Sequence, residues 1–291
     1  MIRSFLDNNA KKTDIFLKKY LNKDSNSSLM PPMKYSLLSG GKKIRSSIII
    51  GTGKIFNIKT SKLLNICAAV ECIHSYSLIH DDLPCMDNDR MRRGKLATHV
   101  KFGESTAILA GNSLLTLAFE MIVDKNYNIK HKSKAELVKA LALCSGHTGI
   151  AGGQHLDLNF EKKKKKFSDI LNMQRKKTGK LFNFCCFAPG VIAKKNIKEL
   201  NSLSKLGEDI GLLFQLADDA IDFKGSTKLA GKSTKKDQKK GKSTVISLIG
   251  YEKANSFAVK LKKNILSKLE KHGKKANNLI NTVEFILERN F

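Results

Sequence analysis

Two groups of carboxylates in this 291-residue chain are not explained by its composition. The first is His80-Asp81-Asp82-Leu83-Pro84-Cys85-Met86-Asp87, and the second is Gln215-Leu216-Ala217-Asp218-Asp219-Ala220-Ile221-Asp222. Asp218 and Asp222 are four residues apart, about 40° on a helix, so both lie on one face. An apolar helix does not bury like charges uncompensated: left bare, they repel and their pKa values rise. A divalent cation is the compensator this donor set favours. Few carboxylates and no soft ligands suit Mg²⁺, which keeps waters and takes its remaining oxygens from phosphates. A phosphate-rich ligand held between two such clusters also needs cations for its outer oxygens. Candidates are Lys42, Lys43 and Arg45 after Gly40-Gly41, then Arg92-Arg93-Gly94, Lys176-Lys177-Thr178-Gly179, and Lys232 and Lys242. Arginine offers phosphate a planar fork and lysine a point charge. Paired glycines let the backbone approach closely. Gly241-Lys242-Ser243-Thr244 looks like the tail of a nucleotide-binding loop, but the earlier glycine and the preceding strand are missing, so that reading is rejected.

Helices must position these groups. Ser61–Asp82 carries apolar residues at helical spacing (Leu63, Leu64, Cys67, Ala68, Val70, Cys72, Ile73, Tyr76, Ile79), with Ser61 as N-cap and Pro84 as terminator. Asp14–Leu21 reads as a short amphipathic stretch and Ile44–Phe56 as an apolar one, and Thr106–Val123, Lys134–Cys144, Phe167–Lys177, Ile197–Phe223, Lys253–Glu270 and Ala276–Arg289 read as further helical runs. Asp24–Pro32, the lysine run Glu161–Lys166 and the Gly/Ser/Thr/Lys stretch Lys224–Thr244 read as loops. Period-two alternation is scarce, so the pattern predicts an all-α protein of roughly ten helices. Apolar runs flank every loop, so residues 1–291 are expected to form a single domain.

Lys and Arg total 53 against 26 acidic residues, a net charge of +27. The excess is lysine, 46 against 7 arginines, alongside 21 asparagines. Both are residues of A-rich codons, so most of the charge is read as solvated composition drift. Basic runs without interleaved stacking aromatics argue against a nucleic-acid partner. None of the six cysteines forms a C-x-x-C pair, which speaks against zinc. Cys67, Cys72 and Cys144 lie in apolar runs, as free thiols of a reducing compartment do. No membrane span is expected: the stretch read as most apolar, Leu63–Ile79, carries Glu71 and His74 and falls short of ~20 apolar residues. No secretory signal is seen.

At these residues the sequence resembles the trans-isoprenyl diphosphate synthases, most closely the bacterial farnesyl diphosphate synthases. The match runs in order through Gly40–Arg45, Glu71–Pro84, Arg92–Gly94, Gly152-Gly153-Gln154, Lys177–Gly179, Phe214-Gln215 with Asp218–Asp222, and Gly241–Thr244. The resemblance implies an isoprenoid synthase fold, a helical bundle around a central cavity, and a cytoplasmic homodimer. It also implies Mg²⁺-dependent prenyl transfer with about two to three ions per site. The substrates would be isopentenyl diphosphate with dimethylallyl and geranyl diphosphate, and the product farnesyl diphosphate. It assigns Asp81, Asp82, Asp87, Asp218, Asp219 and Asp222 to catalysis, with Asp81, Asp87 and Asp218 on metal. Arg92, Lys177, Thr178, Gln215, Lys232 and Lys242 fall on the allylic diphosphate. Lys42, Arg45, His74 and Arg93 fall on the isopentenyl diphosphate. Tyr76, five residues before Asp81, lies a turn and a half deeper, where an aromatic favours a C15 product over C20. His80 is read as structural.

Three residues depart from the family pattern. Ser46 replaces a proline after Arg45, which is expected to loosen the helix start, and Asn88 and Arg90 replace acidic residues. A terpene cyclase needs only one substrate, which the second basic set opposes. An inactive subunit is opposed by the intact clusters.

Overall fold

The structure is a computed structural model and describes residues 2–23, 26–161, 163, 165–224 and 244–288. The described chain is helical almost throughout. α1 (Ile2–Leu21) buries Leu6, Asn9, Thr13, Leu17 and Tyr20, spaced three or four apart, against α3 (Ile44–Ile55) and α4 (Leu64–Asp81). α3 and α4 are apolar on nearly every side and form the centre. α2 (Met30–Leu37) opens with Pro31 and Pro32 in its first turn, where a missing N–H costs nothing.

After α4 the chain makes a two-residue hairpin. β1 (Met91–Arg92) pairs antiparallel with β2 (Lys95–Leu96), and Arg93 and Gly94 turn it at positive φ. α5 (Thr98–Phe102) and α6 (Glu104–Val123) follow, and α6 lies along α4. Then come α7 (His131–Ser145), α8 (Ile150–Phe160) and α9 (Phe167–Gln174). α9 passes through one π-helical turn, Arg175–Gly179, into α10 (Lys180–Ile192), which packs on α3, α7 and α11 (Ile197–Lys224). α12 (Val245–Ile249), α13 (Tyr251–Glu270) and α14 (Asn277–Glu288) cover α11 and α3. Phe182 and Phe184 on α10 are fully buried, and each contributes roughly 1.5–3 kcal/mol by leaving water.

The helical class is as expected, but several local expectations are corrected. α1 begins at Ile2, not Asp14, and a helix occupies part of the predicted Asp24–Pro32 loop. α8 and α10 were not predicted: α8 is Gly-rich, and α10 carries aromatics, a Cys pair and Pro189. Ser61 caps nothing, because it sits in a 3₁₀ turn and α4 starts at Leu64. Ser46 does not loosen α3: the helix starts at Ile44, and the buried Ser46 hydroxyl donates to Glu71 Oε1 at 2.8 Å. Among the described residues, α6 rather than Leu63–Ile79 is the helix long and apolar enough to cross a membrane. One face of it is buried by Ala107, Ala110, Gly111, Leu114, Ala118, Met121 and Ile122. Cys67, Cys72, Cys144, Cys185 and Cys186 are buried free thiols, and Cys85 is exposed.

Candidate active site

A cavity of about 470 Å³ gathers most of the residues selected from the sequence. α4 lines it with Glu71, His74, Leu78 and Asp81, one helical stripe, and with Ser77 beside them. α11 lines it with Phe214, Gln215, Asp218, Asp219 and Asp222. Lys42, Arg45, Asp87, Arg92, Arg93, Lys177 and Thr178 complete the predicted set on its wall. Asp82 and Tyr76 are not on the wall, and Lys232 and Lys242 lie outside the described residues.

The carboxylates divide into two kinds. Asp82 is 2% exposed and closes on Arg92, whose Nε lies 3.1 and 3.2 Å from its two oxygens. Arg92 Nη2 touches the same carboxylate and stands 3.7 Å from Asp89. Asp219 accepts from Gln174 Nε2 at 2.9 Å and Gln215 Nε2 at 2.8 Å, while Gln215 Oε1 accepts the Thr178 hydroxyl at 2.9 Å. Asp82 and Asp219 thus orient the groups that face the cavity. Asp81 and Asp87, by contrast, repel each other. Burial, reinforced by Asp87 and opposed by Lys177, pushes the Asp81 carboxyl up to about 6.

The π turn presents Lys177 and Thr178. Its two ends are tied to neighbouring acids of α11: Arg175 to Asp209 at 3.4 Å and Lys180 to Glu208 at 2.6 Å. Lys177 Nζ lies 2.6 Å from Asp157 on α8. A side chain on Gly153 would come within 2.1 Å of the Lys177 backbone nitrogen, so only glycine lets α8 close on this turn. The next residue, Gln154, is 6% exposed and lines the cavity, and neither end of its carboxamide has a hydrogen-bond partner among the described residues. A buried amide left this way costs ~1–3 kcal/mol, which a polar ligand would recover.

The basic groups collect around His74. Arg93 Nη1 donates to the Gly40 carbonyl at 2.6 Å and to Ser39 Oγ at 3.1 Å, packed against Gly41. The Arg45 guanidinium lies over the rings of Phe182 and Phe214, 4.8 and 5.7 Å from their centroids. Lys42 lies over Phe285. Lys43 is turned inward to Asp14 at 3.2 Å and the Leu37 carbonyl at 3.3 Å. Burial first, then Arg45, Arg93, Lys43 and Arg92, hold the His74 imidazole well below its ordinary pKa. This end of the cavity therefore presents cations and a neutral imidazole, a setting for an anion.

Among the described residues, no three His, Cys, Asp or Glu side chains form a ready-made metal cage. The donor set nonetheless fits Mg²⁺. Asp81, Asp87, Asp218, Asp219 and Asp222 offer hard oxygens on one cavity, and burial, with Asp87 adding to it, pushes the Asp81 carboxyl up to about 6. Mg²⁺ commonly takes one or two carboxylates and completes its shell with water and substrate phosphate.

Sequence reasoning gave no role to Glu71 or Gln154, which it quoted only within matching motifs, and passed over Asp157 and Gln174. Helical spacing could have found the first three: Glu71 shares the stripe of His74 and Asp81, and Gln154 and Asp157 are three apart after Gly152-Gly153. Gln174 carried no such signal.

The polyprenyl synthetase family model matches residues 26–283. The farnesyl diphosphate synthase of Escherichia coli is 39% identical over 270 residues, 91% of this chain and 90% of that protein. The crystal structure of an FPP/GFPP synthase from Zymomonas mobilis superposes with a TM-score of 0.88 at 35% identity, covering 98% of both chains. A Helicobacter pylori geranyltransferase crystallised with magnesium and isoprenyl diphosphate gives 0.82 at 29% identity, over 99% of this chain and 96% of that one. With two carboxylate clusters and a basic pole on one cavity, and similarity along nearly its whole length, the chain belongs to the polyprenyl synthetase family.

Proposed function

We propose that this chain is a trans-prenyltransferase. It joins isopentenyl diphosphate head-to-tail to dimethylallyl and then geranyl diphosphate, and it releases farnesyl diphosphate. The observation that carries this reading is that two acidic clusters and a set of cationic groups line one cavity: two diphosphates need two kinds of seat. A cyclase would need only the first.

Asp81, Asp87 and Asp218 would hold Mg²⁺, and Arg92, Lys177, Thr178 and Gln215 orient the allylic diphosphate. Bound Mg²⁺ supplies Lewis-acid stabilisation of the leaving diphosphate. The allylic C–O bond breaks with its electron pair on oxygen, where Arg92 and Lys177 add fixed positive charge. Lys42, Arg45, His74 and Arg93 hold the isopentenyl diphosphate so that its double bond faces the allylic cation, and positioning supplies much of the rate. The new C–C bond forms, and the proton is lost to the departing diphosphate. Apolar walls such as Ile150, Met173 and Phe214 exclude water from the cation. Tyr76 limits the chain to C15. Its burial on α4, next in the chain to the wall residues Ser77 and Leu78, supports that role.

The chain acts as one domain and as a homodimer. Ile108, Leu109, Leu115, Phe119 and Val123 form an apolar stripe on the outer face of α6, and Ile108, Leu109 and Val123 are 41%, 52% and 53% exposed. A second copy covers such a stripe more readily than water does. Buried free thiols support a reducing, cytoplasmic setting.

The test is product analysis with isopentenyl diphosphate and each allylic primer, with and without Mg²⁺. A metal-dependent C15 product is expected. A C20 or C25 product would keep the transferase and discard the Tyr76 limit. No product from folded protein would overturn the reading.

A further inference from the structure

His80 adjoins the first carboxylate cluster and has no part in the chemistry above. Its ring stands in a notch of α6. Nε2 donates to the Ile108 carbonyl at 3.2 Å, and a side-chain carbon on Gly111 would come within 2.2 Å of that nitrogen. The notch therefore exists because residue 111 is glycine. One turn back along α4, the Tyr76 ring meets His80 edge to face, with centroids 5.7 Å apart and planes at 81°. The far end of Tyr76 is held separately: its hydroxyl donates to the carbonyl of Ser145, the last residue of α7, at 3.4 Å.

Tyr76 is thus held at two ends by two helices. The α4 residues on the cavity wall run from Glu71 to Asp81 and include Ser77 and Leu78, the two that follow Tyr76 in the chain, while Tyr76 itself is buried off that wall. A tyrosine held only by its hydroxyl can still swing about its side-chain torsions. With the His80 ring locked between α6 and the Tyr76 edge, that swing meets a wall that is itself fixed in a backbone notch. We infer that His80, seated on Gly111, is a positioning residue for product length: it holds the Tyr76 ring in place as the stop for the growing prenyl chain. This rests on the role given to Tyr76 above.

The test compares His80→Gln, His80→Ala and Gly111→Ala with Tyr76→Ala. Products from isopentenyl and dimethylallyl diphosphate are read by mass spectrometry, with thermal melting alongside. His80→Gln keeps a donor that can reach Ile108 and loses only the ring. Gly111→Ala keeps the histidine and drives its ring out of the notch. Tyr76→Ala is expected to move most product beyond C15, and the His80 and Gly111 variants to raise the C20 fraction at least threefold. A merely structural role would lower the melting temperature and leave chain length at C15. If Tyr76→Ala lengthens the product while the folded His80 and Gly111 variants stay at C15, the inference fails and the Tyr76 limit stands. If Tyr76→Ala also stays at C15, both fail.

Discussion

Arg92 Nε lies 3.1 Å from one oxygen of Asp82 and 3.2 Å from the other, so the middle acid of the first cluster is engaged by a cation of its own chain. Asp81 and Asp87 face the cavity, and Asp82 does not. The three acids are therefore expected to respond differently to substitution. Asp82→Asn loosens the aim of Arg92 and should cost ~10–100-fold in activity, as an outer-shell change does. Asp81→Asn removes a direct electrostatic partner of the reaction and should cost ~10²–10³-fold. The readout that separates them is Mg²⁺-induced thermal stabilisation, kept in Asp82→Asn and weakened in Asp81→Asn. Equal loss in both would put Asp82 on the metal.

Asp81 also sets a pH dependence. Its carboxyl titrates at about 6 in the folded chain against an ordinary 3.8. Between those values the folded state holds a proton that the unfolded state has released, so Asp81 makes stability fall as pH rises through that window. Above it, the ionised Asp81 beside Asp87 weakens the empty fold, and a divalent cation relieves this. At ~100 times Kd a ligand of the folded state adds about 2.7 kcal/mol. Mg²⁺ should thus raise the melting temperature by several degrees at about pH 7.5 and much less at about pH 5. A pH-independent shift would show that the cation does not meet Asp81.

Ser46 stands where proline was expected and is fully buried, 2.8 Å from Glu71 Oε1. Glu71 in turn stands 4.0 Å from Lys43 and lines the cavity beside His74. Ser46→Ala takes one donor from a buried carboxylate, which costs about 1–3 kcal/mol. Urea unfolding of the two proteins measures it. A difference near zero would mean that Glu71 is satisfied without Ser46.

The elements that carry the chemistry were legible where period and composition agreed. α4 and α11 combine long apolar runs with acids at their ends, and both were found together with their aspartates. α8 and α10 were missed for a physical reason: close packing selects Gly153 and Gly190 there, and glycine weakens the helical signal it makes possible. The π turn could not be read either: no local signal marks it, and the acids that tie its ends, Glu208 and Asp209, are some thirty residues away in sequence. The sequence grouped Asp82 with Asp81, and nothing in a run of letters tells that Arg92 folds back on one of them. Ser46 was misjudged because its partner, Glu71, is 25 residues away.

His74 gives the sharpest test of the cationic pole. Burial and the charges of Arg45, Arg93, Lys43 and Arg92 hold its pKa well below 6.5. Below pH 6.5 the unfolded chain takes up a proton that the folded chain refuses, so this residue makes stability fall as pH drops from about 6.5. The opposite slope from Asp81 overlaps that range, so the comparison must be with His74→Gln, which keeps a donor and does not titrate. Relative to that variant, the wild type should lose stability progressively below about pH 6.5. A diphosphate anion bound among these cations offsets their charge and raises the His74 pKa, so binding should draw a proton from solution in mildly acidic buffer. Calorimetry of isopentenyl diphosphate binding at about pH 6, in two buffers of different ionisation heat, counts that proton. The wild type should show more uptake than His74→Gln, because the ligand's own phosphate protons contribute equally to both. Identical uptake in the two proteins would place the anion away from His74 and return the residue to a purely structural role.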